Sequence, residues 1–192
     1  DEIDVVDRRT DALPQKEYQP YKINESGIPV LPPFGGVYRY NISGMIHGEN
    51  GIPDLSAETI DSCIRRINSK LDKYYDDIVM VENEKKEDAD IALLVYGSTT
   101  RPAKGAIEKA AEEGIEVELI RPKTIWPFPE KEIREVSERV DKIIVAEMNL
   151  GQVAGLTKQA VEGRAEIVKY NKVSSIPITV EDLYNKIIEI KE

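Results

Sequence analysis

Short, mostly apolar runs alternate with amphipathic stretches along the chain from residue 90 onwards. The runs predict buried strands. They cover residues 91–96, 115–120, 143–146 and 165–170. Between them, apolar residues recur every three to four positions, as in Ala103, Ala106 and Ala110, which predicts helices. Because a crossover helix covers one face of a parallel sheet, we expect an α/β fold with three α/β/α layers and a mostly parallel sheet.

Proline and capping residues mark the starts of several of these helices. Pro102 stands where the first helical position is expected after the run 91–96, and Pro127 and Pro129 open another helix. Thr179 and Asp182 have the spacing of a capping pair at the last helix. The helix boundaries therefore agree with the apolar periodicity.

A further amphipathic helix is predicted ahead of this alternation, over residues 57–75, with Ser56 as its N-cap. Its apolar stripe consists of Ile60, Ile64, Ile67, Leu71 and Tyr74. Residues 78–81 form a short β-branched run that favours a strand, and the alternative is the tail of the preceding helix. The charged residues 82–88 predict a solvated turn.

Residues 1–54 lack helical periodicity and predict an extended arm, since they are rich in proline and glycine. Five aromatic residues lie within it: Tyr18, Tyr21, Phe34, Tyr38 and Tyr40. A flexible linker rarely carries so many aromatic residues, so we expect the arm to bury these rings on this domain or on a neighbour. The chain is therefore divided into an arm of residues 1–54 and an α/β domain of residues 55–192.

Composition narrows the possible functions. The 192 residues carry a net charge of −10, which disfavours nucleic acid and anionic membranes as partners.

No apolar run reaches the roughly 20 residues of a membrane-spanning helix, and no secretory signal is visible. Cys63 and His47 are the only residues of their types, so no internal disulfide, iron–sulfur cluster or metal site is expected from them. A cytoplasmic location fits best. The start at Asp1 is expected of a piece of a longer chain or of a processed product.

Ligands of open parallel sheets collect beyond the carboxyl ends of the strands, so the loops there are candidate sites. Ser98, Thr99 and Thr100 follow the run 91–96 and precede a helix, and such hydroxyl and N–H groups suit an anion. The alternative is that Thr99 or Thr100 simply caps the helix. The loop has neither the P-loop pattern nor the three-glycine dinucleotide pattern.

Three other positions are candidates with less specific chemistry. Trp126 and Phe128 lie between prolines and predict an apolar corner that favours core packing or a subunit contact over a substrate cage. Glu147 ends a strand, where it is suited to accept helix N–H groups or to face a partner chain. No second catalytic group lies near it in sequence, so we do not assign it as an acid or base. His47, in a glycine-rich loop, is interpreted as a surface or interface histidine, although histidine is often catalytic.

Several segments resemble the C-terminal domain of 2-oxoacid:ferredoxin oxidoreductase α subunits. They are residues 96–98, 127–129 and 146–152, and residues 32–51 are similar to the connecting arm of that family. The most specific strings are Trp-Pro-Phe-Pro and Glu-Met-Asn-Leu-Gly-Gln. The resemblance covers essentially the whole chain.

The resemblance implies a fold like the transketolase C-terminal domain, within an enzyme that makes acyl-CoA from a 2-oxoacid and CoA and passes electrons to ferredoxin. The expected 2-oxoacid is 2-oxoglutarate, and a branched-chain 2-oxoacid is the alternative. Thiamine diphosphate, Mg²⁺ and an iron–sulfur cluster are implied for the whole enzyme. None of them is expected on this chain, which lacks the family's Gly-Asp-Gly metal motif and its cluster cysteines. The expected partners are a thiamine-binding β subunit and other subunits, through which ferredoxin and CoA bind.

The chain is accordingly expected to be an assembly domain that is inactive alone, with no catalytic residue of its own. Possible contacts with the active site or with another subunit are His47, Glu49, Ser98, Thr99, Glu147 and Asn149. The family often has His-Asp-Glu where this chain has Gly48 between His47 and Glu49, so no role of that aspartate is transferred. Two other hypotheses are a non-catalytic interaction module that uses the aromatic arm, and a stand-alone anion- or nucleotide-binding domain.

Overall fold

The computed structural model describes residues 14–191, which belong to two compact units. The first unit ends at Tyr75 and the second begins at Asp76. The predicted boundary at residue 54 stays a prediction, but the helix that follows it belongs to the first unit. Residues 1–13 of the predicted arm and Glu192 lie outside the described residues.

The helix of the first unit, α1 (Ala57–Lys73), begins as predicted. The Ser56 hydroxyl accepts the Thr59 N–H at 3.3 Å, which satisfies one of the free donors of the first turn. The apolar stripe of α1 is not buried, since Ile64 and Ile67 are both exposed. The amphipathic pattern therefore predicts the helix correctly, but its apolar face is only partly covered within the described residues, where Ile60, Leu71 and Tyr74 are half-buried.

The segment before α1 is irregular, as its proline and glycine content predicts. Four of the aromatic residues named from the sequence pair with one another: Tyr18 lies 4.8 Å from Tyr38, and Phe34 lies 5.4 Å from Tyr40, between ring centroids. Phe34 nevertheless stays 79% exposed. This leaves burial on a neighbour as the open alternative for that ring.

The second unit alternates strands and helices in the predicted order. A short helix, α2 (Tyr75–Ile78), spans the boundary between the units. The strands that follow are β1 (Val81–Glu84), β2 (Ile91–Leu94), β3 (Val117–Pro122), β4 (Lys142–Glu147) and β5 (Glu166–Asn171). The remaining helices are α3 (Thr100–Glu112), α4 (Glu130–Ser137), α5 (Gln152–Val161) and α6 (Val180–Lys191).

The five strands form one sheet in the order β1-β3-β2-β4-β5. Strands β2 to β5 are parallel where they pair, and Leu93 of β2 lies between Leu119 of β3 and Ile144 of β4. Only β1 runs antiparallel, on the edge beside β3. This arrangement confirms the prediction of a mostly parallel sheet.

The structure corrects the prediction for residues 78–88. Ile78 ends α2, so the strand begins later, at Val81, and the helical alternative holds for the start of this run. Glu82 and Glu84, predicted in a solvated turn, belong to the edge strand. Pairing with β3 and ion pairs from Lys104 to both carboxylates stabilise a strand that composition alone disfavours.

Helices cover both faces of the sheet and create two apolar layers. On one face, α4 and α5 pack against the strands through Ile133, Val136 and Val153. On the other face, α3 and α6 do so through residues such as Ala106 and Leu183. The central strands are buried on both sides, which explains why their sequences are almost continuously apolar. The three-layer α/β/α prediction is therefore confirmed.

Glu118, in the middle of β3, is a charged exception in this core, with no exposed surface. Arg139 donates two hydrogen bonds to its carboxylate, from Nε at 3.1 Å and from a terminal nitrogen at 2.5 Å. A buried carboxylate without such a partner would be strongly destabilising, so this pair fixes the end of α4 against β3.

The last helix begins with the predicted capping pair. The Thr179 N–H donates to the Asp182 carboxylate at 2.9 Å, and the Asp182 N–H donates to the Thr179 hydroxyl at 3.1 Å. None of the helices within residues 14–191 combines the length and the apolar character needed to cross a bilayer.

Candidate functional site

A buried carboxylate joins the carboxyl end of β4 to the start of α5. Glu147 is the last residue of β4 and is 1% exposed. Its two carboxylate oxygens accept the N–H groups of Val153 at 3.1 Å and Ala154 at 2.9 Å. Free N–H groups and the helix dipole both favour a negative charge there, so Glu147 caps α5 from the preceding strand.

Tyr96 extends this network from the neighbouring strand. Its hydroxyl donates to Oε2 of Glu147 at 3.1 Å and accepts a hydrogen bond from Nδ2 of Asn149 at 2.8 Å. Burial of the ring, followed by the negative charge of Glu147, raises the pKa of Tyr96 above its usual value. The phenol therefore stays protonated at neutral pH and acts as a hydrogen-bond donor.

The turn between Glu147 and α5 is held by Asn149. Its Oδ1 accepts the N–H groups of Gly151 at 2.8 Å and Gln152 at 3.2 Å. Gly151 has φ of 104°, and a Cβ there would lie 3.0 Å from Nδ2 of Asn171. A glycine is needed for both reasons, which explains the Asn-Leu-Gly sequence of this turn.

These contacts define what the network can do chemically. Each oxygen of Glu147 accepts a donor from the chain, and the phenol of Tyr96 is both donor and acceptor. All the groups are directed at one another, so the arrangement fixes a helix and a turn. The first alternative for Glu147, acceptance of helix N–H groups, is the one that the structure shows.

A cavity of about 910 Å³ lies beside this network, where β2 leads into α3. Ser98, which is exposed, and Thr99, which is buried, belong to a 3₁₀ turn in its wall. Thr99 occupies the N-cap position of α3 but makes no side-chain capping bond. The hydroxyl of Thr100 has no hydrogen-bond partner either. The expected alternative that one of these threonines caps the helix is therefore wrong.

Cations accompany the hydroxyl groups in the wall of this cavity: Arg101, Lys104 and Arg121. Glu82 accepts hydrogen bonds from Lys104 at 3.0 Å and from Arg121 at 3.1 Å. The bond from Lys104 is the main cause that lowers the pKa of Glu82 to about 2, and the bond to Glu84 is the main cause that raises the pKa of Lys104. Arg101 and Arg121 were missed from the sequence because nothing in their spacing separates them from surface arginines.

His47 and Glu49 belong to the first unit. The ring of His47 stacks on Tyr21, with 4.7 Å between centroids and 5° between planes, and Nε2 of His47 lies 3.1 Å from the Ser43 hydroxyl. The Glu49 side chain is exposed, and its backbone carbonyl accepts the Tyr21 N–H. Glu147 and Asn149 share their network with Tyr96, and Ser98 and Thr99 lie in the turn that follows Tyr96.

Tyr96 is the member of the network that sequence reasoning did not single out. The available signal was its position, since it is a residue with a polar tip at the end of an apolar strand run. The two aromatic residues of the Trp-Pro-Phe-Pro segment separate in the structure. Phe128 joins the core, whereas Trp126 is exposed.

The part of the chain that the structure describes does not form a metal site. Within residues 14–191, no group of three or more His, Cys, Asp or Glu side chains is arranged to hold a metal ion. An iron–sulfur cluster requires several thiolates, and Cys63 is the only cysteine in the sequence.

Comparison with known families identifies similar proteins. Residues 89–183 match the family described as pyruvate:ferredoxin oxidoreductase core domain II. The 2-oxoglutarate synthase subunit KorA of Methanothermobacter thermautotrophicus is 34% identical over 191 residues, which is 99% of this chain and 51% of that subunit. The ketoisovalerate oxidoreductase subunit VorB of Methanothermobacter marburgensis is 38% identical over 112 residues, covering 58% of this chain and 32% of the relative. The chain thus spans about half the length of the 2-oxoglutarate synthase subunits that it matches.

Two solved structures are also similar. The 2-oxoglutarate:ferredoxin oxidoreductase from Magnetococcus marinus, solved with 2-oxoglutarate, coenzyme A and succinyl-CoA bound, aligns with a TM-score of 0.75 and 26% identity. The alignment covers 91% of this chain and 31% of that one. A split-gene transketolase, an inactive β4 tetramer, aligns over 57% of this chain and 40% of its own, with a TM-score of 0.51 and 14% identity. The second match bears on the fold alone and supports its transketolase-like character.

Proposed function

The chain belongs to the 2-oxoacid:ferredoxin oxidoreductase family, as part of an α subunit, and from this premise we propose that it is an assembly domain of such an enzyme. The observation that carries the proposal is the 34% identity that extends over 99% of the chain. A non-catalytic role fits the site, because both oxygens of Glu147 accept N–H groups at the start of α5 and so stabilise the fold.

We further propose that the whole enzyme converts 2-oxoglutarate and CoA into the acyl-CoA and reduces ferredoxin. The names of the relatives that cover nearly the whole chain support 2-oxoglutarate over a branched-chain 2-oxoacid. Thiamine diphosphate, Mg²⁺ and the iron–sulfur cluster would then be held by other parts of the complex. The location would be cytoplasmic.

The partner proposed for this domain is the thiamine-binding β subunit. Large apolar side chains remain exposed beyond the carboxyl ends of the neighbouring strands β4 and β5: Leu150, Val173 and Ile176. Leu150 is 80% exposed although it lies in a turn whose backbone is fixed by Asn149. A rigid apolar group of this kind is typical of an interface.

Ferredoxin is proposed to dock on another subunit. The net charge of −10 makes this chain repel an acidic electron carrier, and electrostatic complementarity largely sets the rate of such an encounter.

The six candidate contacts named from the sequence remain proposals. His47 and Glu49 are the first to be tested as contacts with a neighbouring active site.

A reconstitution experiment tests the assembly role. The chain alone should show no turnover with 2-oxoglutarate, CoA and an electron acceptor, whereas the complex obtained by co-expression with the other subunits should be active. Leu150→Asp should abolish co-purification of the β subunit and leave the stability of the chain within about 0.5 kcal/mol, because the side chain is exposed.

Gln159→Asp is the matched control, since it adds the same charge at an exposed position on α5. It should leave co-purification and activity intact. Turnover by the isolated chain, or a complex that assembles normally with Leu150→Asp, would contradict the proposal. Comparison of 2-oxoglutarate with ketoisovalerate as substrates of the complex decides between the two 2-oxoacid classes.

A further inference from the structure

The cavity at the start of α3 has a positive wall in an acidic protein. Arg101, Lys104 and Arg121 contribute to its lining, and no Asp or Glu is among the described residues that line it. The chain as a whole carries a net charge of −10, so a cluster of cations at one opening is not explained by composition. A cavity with this polarity concentrates anions.

Thr100 has an unsatisfied hydroxyl in this wall. The residue is 5% exposed and is the first of the thirteen residues of α3, and its Oγ1 has no hydrogen-bond partner. An unpaired buried hydroxyl is destabilising, and native proteins rarely contain one without a reason. A hydroxyl can donate to an anion, and the positive end of the helix dipole at the same place favours a negative charge.

Arg101 is the cation that remains available. Lys104 is held by Glu82 and Glu84, at 3.0 and 2.6 Å, and Arg121 is held by Glu82 at 3.1 Å. Arg101 is exposed and forms no ion pair or hydrogen bond with the described part of the chain. Lys104 and Arg121 are therefore held by carboxylates, whereas the planar guanidinium of Arg101 is free to bind a ligand.

The lining of the cavity also has an apolar part, which includes Met148, Pro177 and Ile178. We propose that this cavity binds an organic phosphate, whose phosphate group lies between Arg101 and Thr100 and whose carbon part lies against these apolar residues. The shape and size suit a small molecule, because ligand sites combine apolar walls with a few placed polar groups. Leu150, Val173 and Ile176, the exposed residues proposed for assembly, are not among the residues that line this cavity.

Calorimetric titration of the full chain tests the proposal, with inorganic phosphate and phenyl phosphate as probes. Both should bind saturably, phenyl phosphate more tightly, and the affinity should fall as salt is added. Arg101→Ala should weaken phosphate binding by about tenfold or more, because it removes a charged hydrogen-bond partner. Arg65→Ala, which removes an exposed arginine outside the cavity, should leave the affinity unchanged.

Thr100→Val separates a binding role from a structural one. It keeps the branched shape and removes only the unpaired hydroxyl, so it should weaken phosphate binding while the melting temperature stays the same or rises. The proposal is overturned if neither probe binds saturably, if Arg101→Ala binds as tightly as the wild type, or if Thr100→Val lowers the melting temperature and leaves binding intact.

Discussion

At the scale of single residues, Glu147 shows how a side chain that resembles a catalytic group has a structural role. The residue lies at the carboxyl end of a central strand, where active-site acids of α/β folds are often found. Its oxygens nevertheless receive two backbone N–H groups and one phenol from within the chain. The negative charge stabilises the start of α5, so removal of that charge should affect folding before anything else.

Replacement of Glu147 by glutamine tests this role directly. One carboxylate oxygen becomes an NH₂ group, which then faces the N–H of Val153 or Ala154, so one buried donor loses its acceptor. We expect the free energy of unfolding to fall by about 1–3 kcal/mol in urea titrations at neutral pH. Glu138→Gln, at an exposed position, should change it by less than about 0.5 kcal/mol. Equal effects of the two substitutions would show that Glu147 is not a helix anchor.

Residue-scale prediction from the sequence reached the correct positions but not their partners. Glu147 could be placed at a strand end next to a helix start, and its acceptor role was one of the two alternatives that this position suggested. Tyr96 was not identified, because its contact with Glu147 spans 51 residues and depends on how β2 and β4 lie side by side. The free hydroxyl of Thr100 could not be foreseen either, since from the sequence Thr100 could equally be the residue that caps the helix.

At the scale of elements, the apolar runs predicted the central strands well because both faces of these strands are buried. Prediction failed at the edge, where Glu82 and Glu84 belong to β1. An edge strand needs apolar residues on fewer positions, and its charges are stabilised by Lys104 from another element. Lys104 is 22 positions from Glu82 and 20 positions from Glu84, so these ion pairs cannot be predicted from local periodicity.

The start of α6 gives a pH-dependent prediction. A hydrogen bond from Lys172, followed by the Thr179 N–H, lowers the pKa of Asp182 from 3.8 to about 2. A carboxyl group with a lowered folded-state pKa stabilises the fold above its unfolded pKa and loses that contribution as the pH falls towards 2. Asp182→Asn keeps an oxygen acceptor for Thr179 but removes the charge.

We therefore expect Asp182→Asn to be less stable than the wild type by about 0.5–1 kcal/mol at neutral pH, with a difference that shrinks below pH 4. Denaturant unfolding of both proteins between pH 7 and pH 3 measures this difference. Asp76→Asn, whose side chain is 91% exposed, is the control for loss of one negative charge. A difference that stays constant with pH would contradict the assigned role of the Asp182 charge.

At the scale of the whole molecule, the two units differ in how much of the apolar core they contain. Both apolar clusters consist of residues from the second unit. The Glu147 network and the lining of the cavity at the start of α3 belong to the same unit. The stripe of α1, in the first unit, is exposed at Ile64 and Ile67. The apolar periodicity correctly predicts that α1 is a helix, but periodicity does not reveal which core, if any, a helix joins.

Two truncated chains decide where the α/β domain begins. Residues 76–192 contain every member of both apolar clusters, so they should fold alone and unfold cooperatively on heating. A chain of residues 55–192 should melt at the same temperature, because α1 contributes no buried side chain. Thermal unfolding followed by circular dichroism compares the two. A broad, non-cooperative transition for residues 76–192, with a sharp one for residues 55–192, would place the boundary at residue 54 and make α1 a necessary part of the domain.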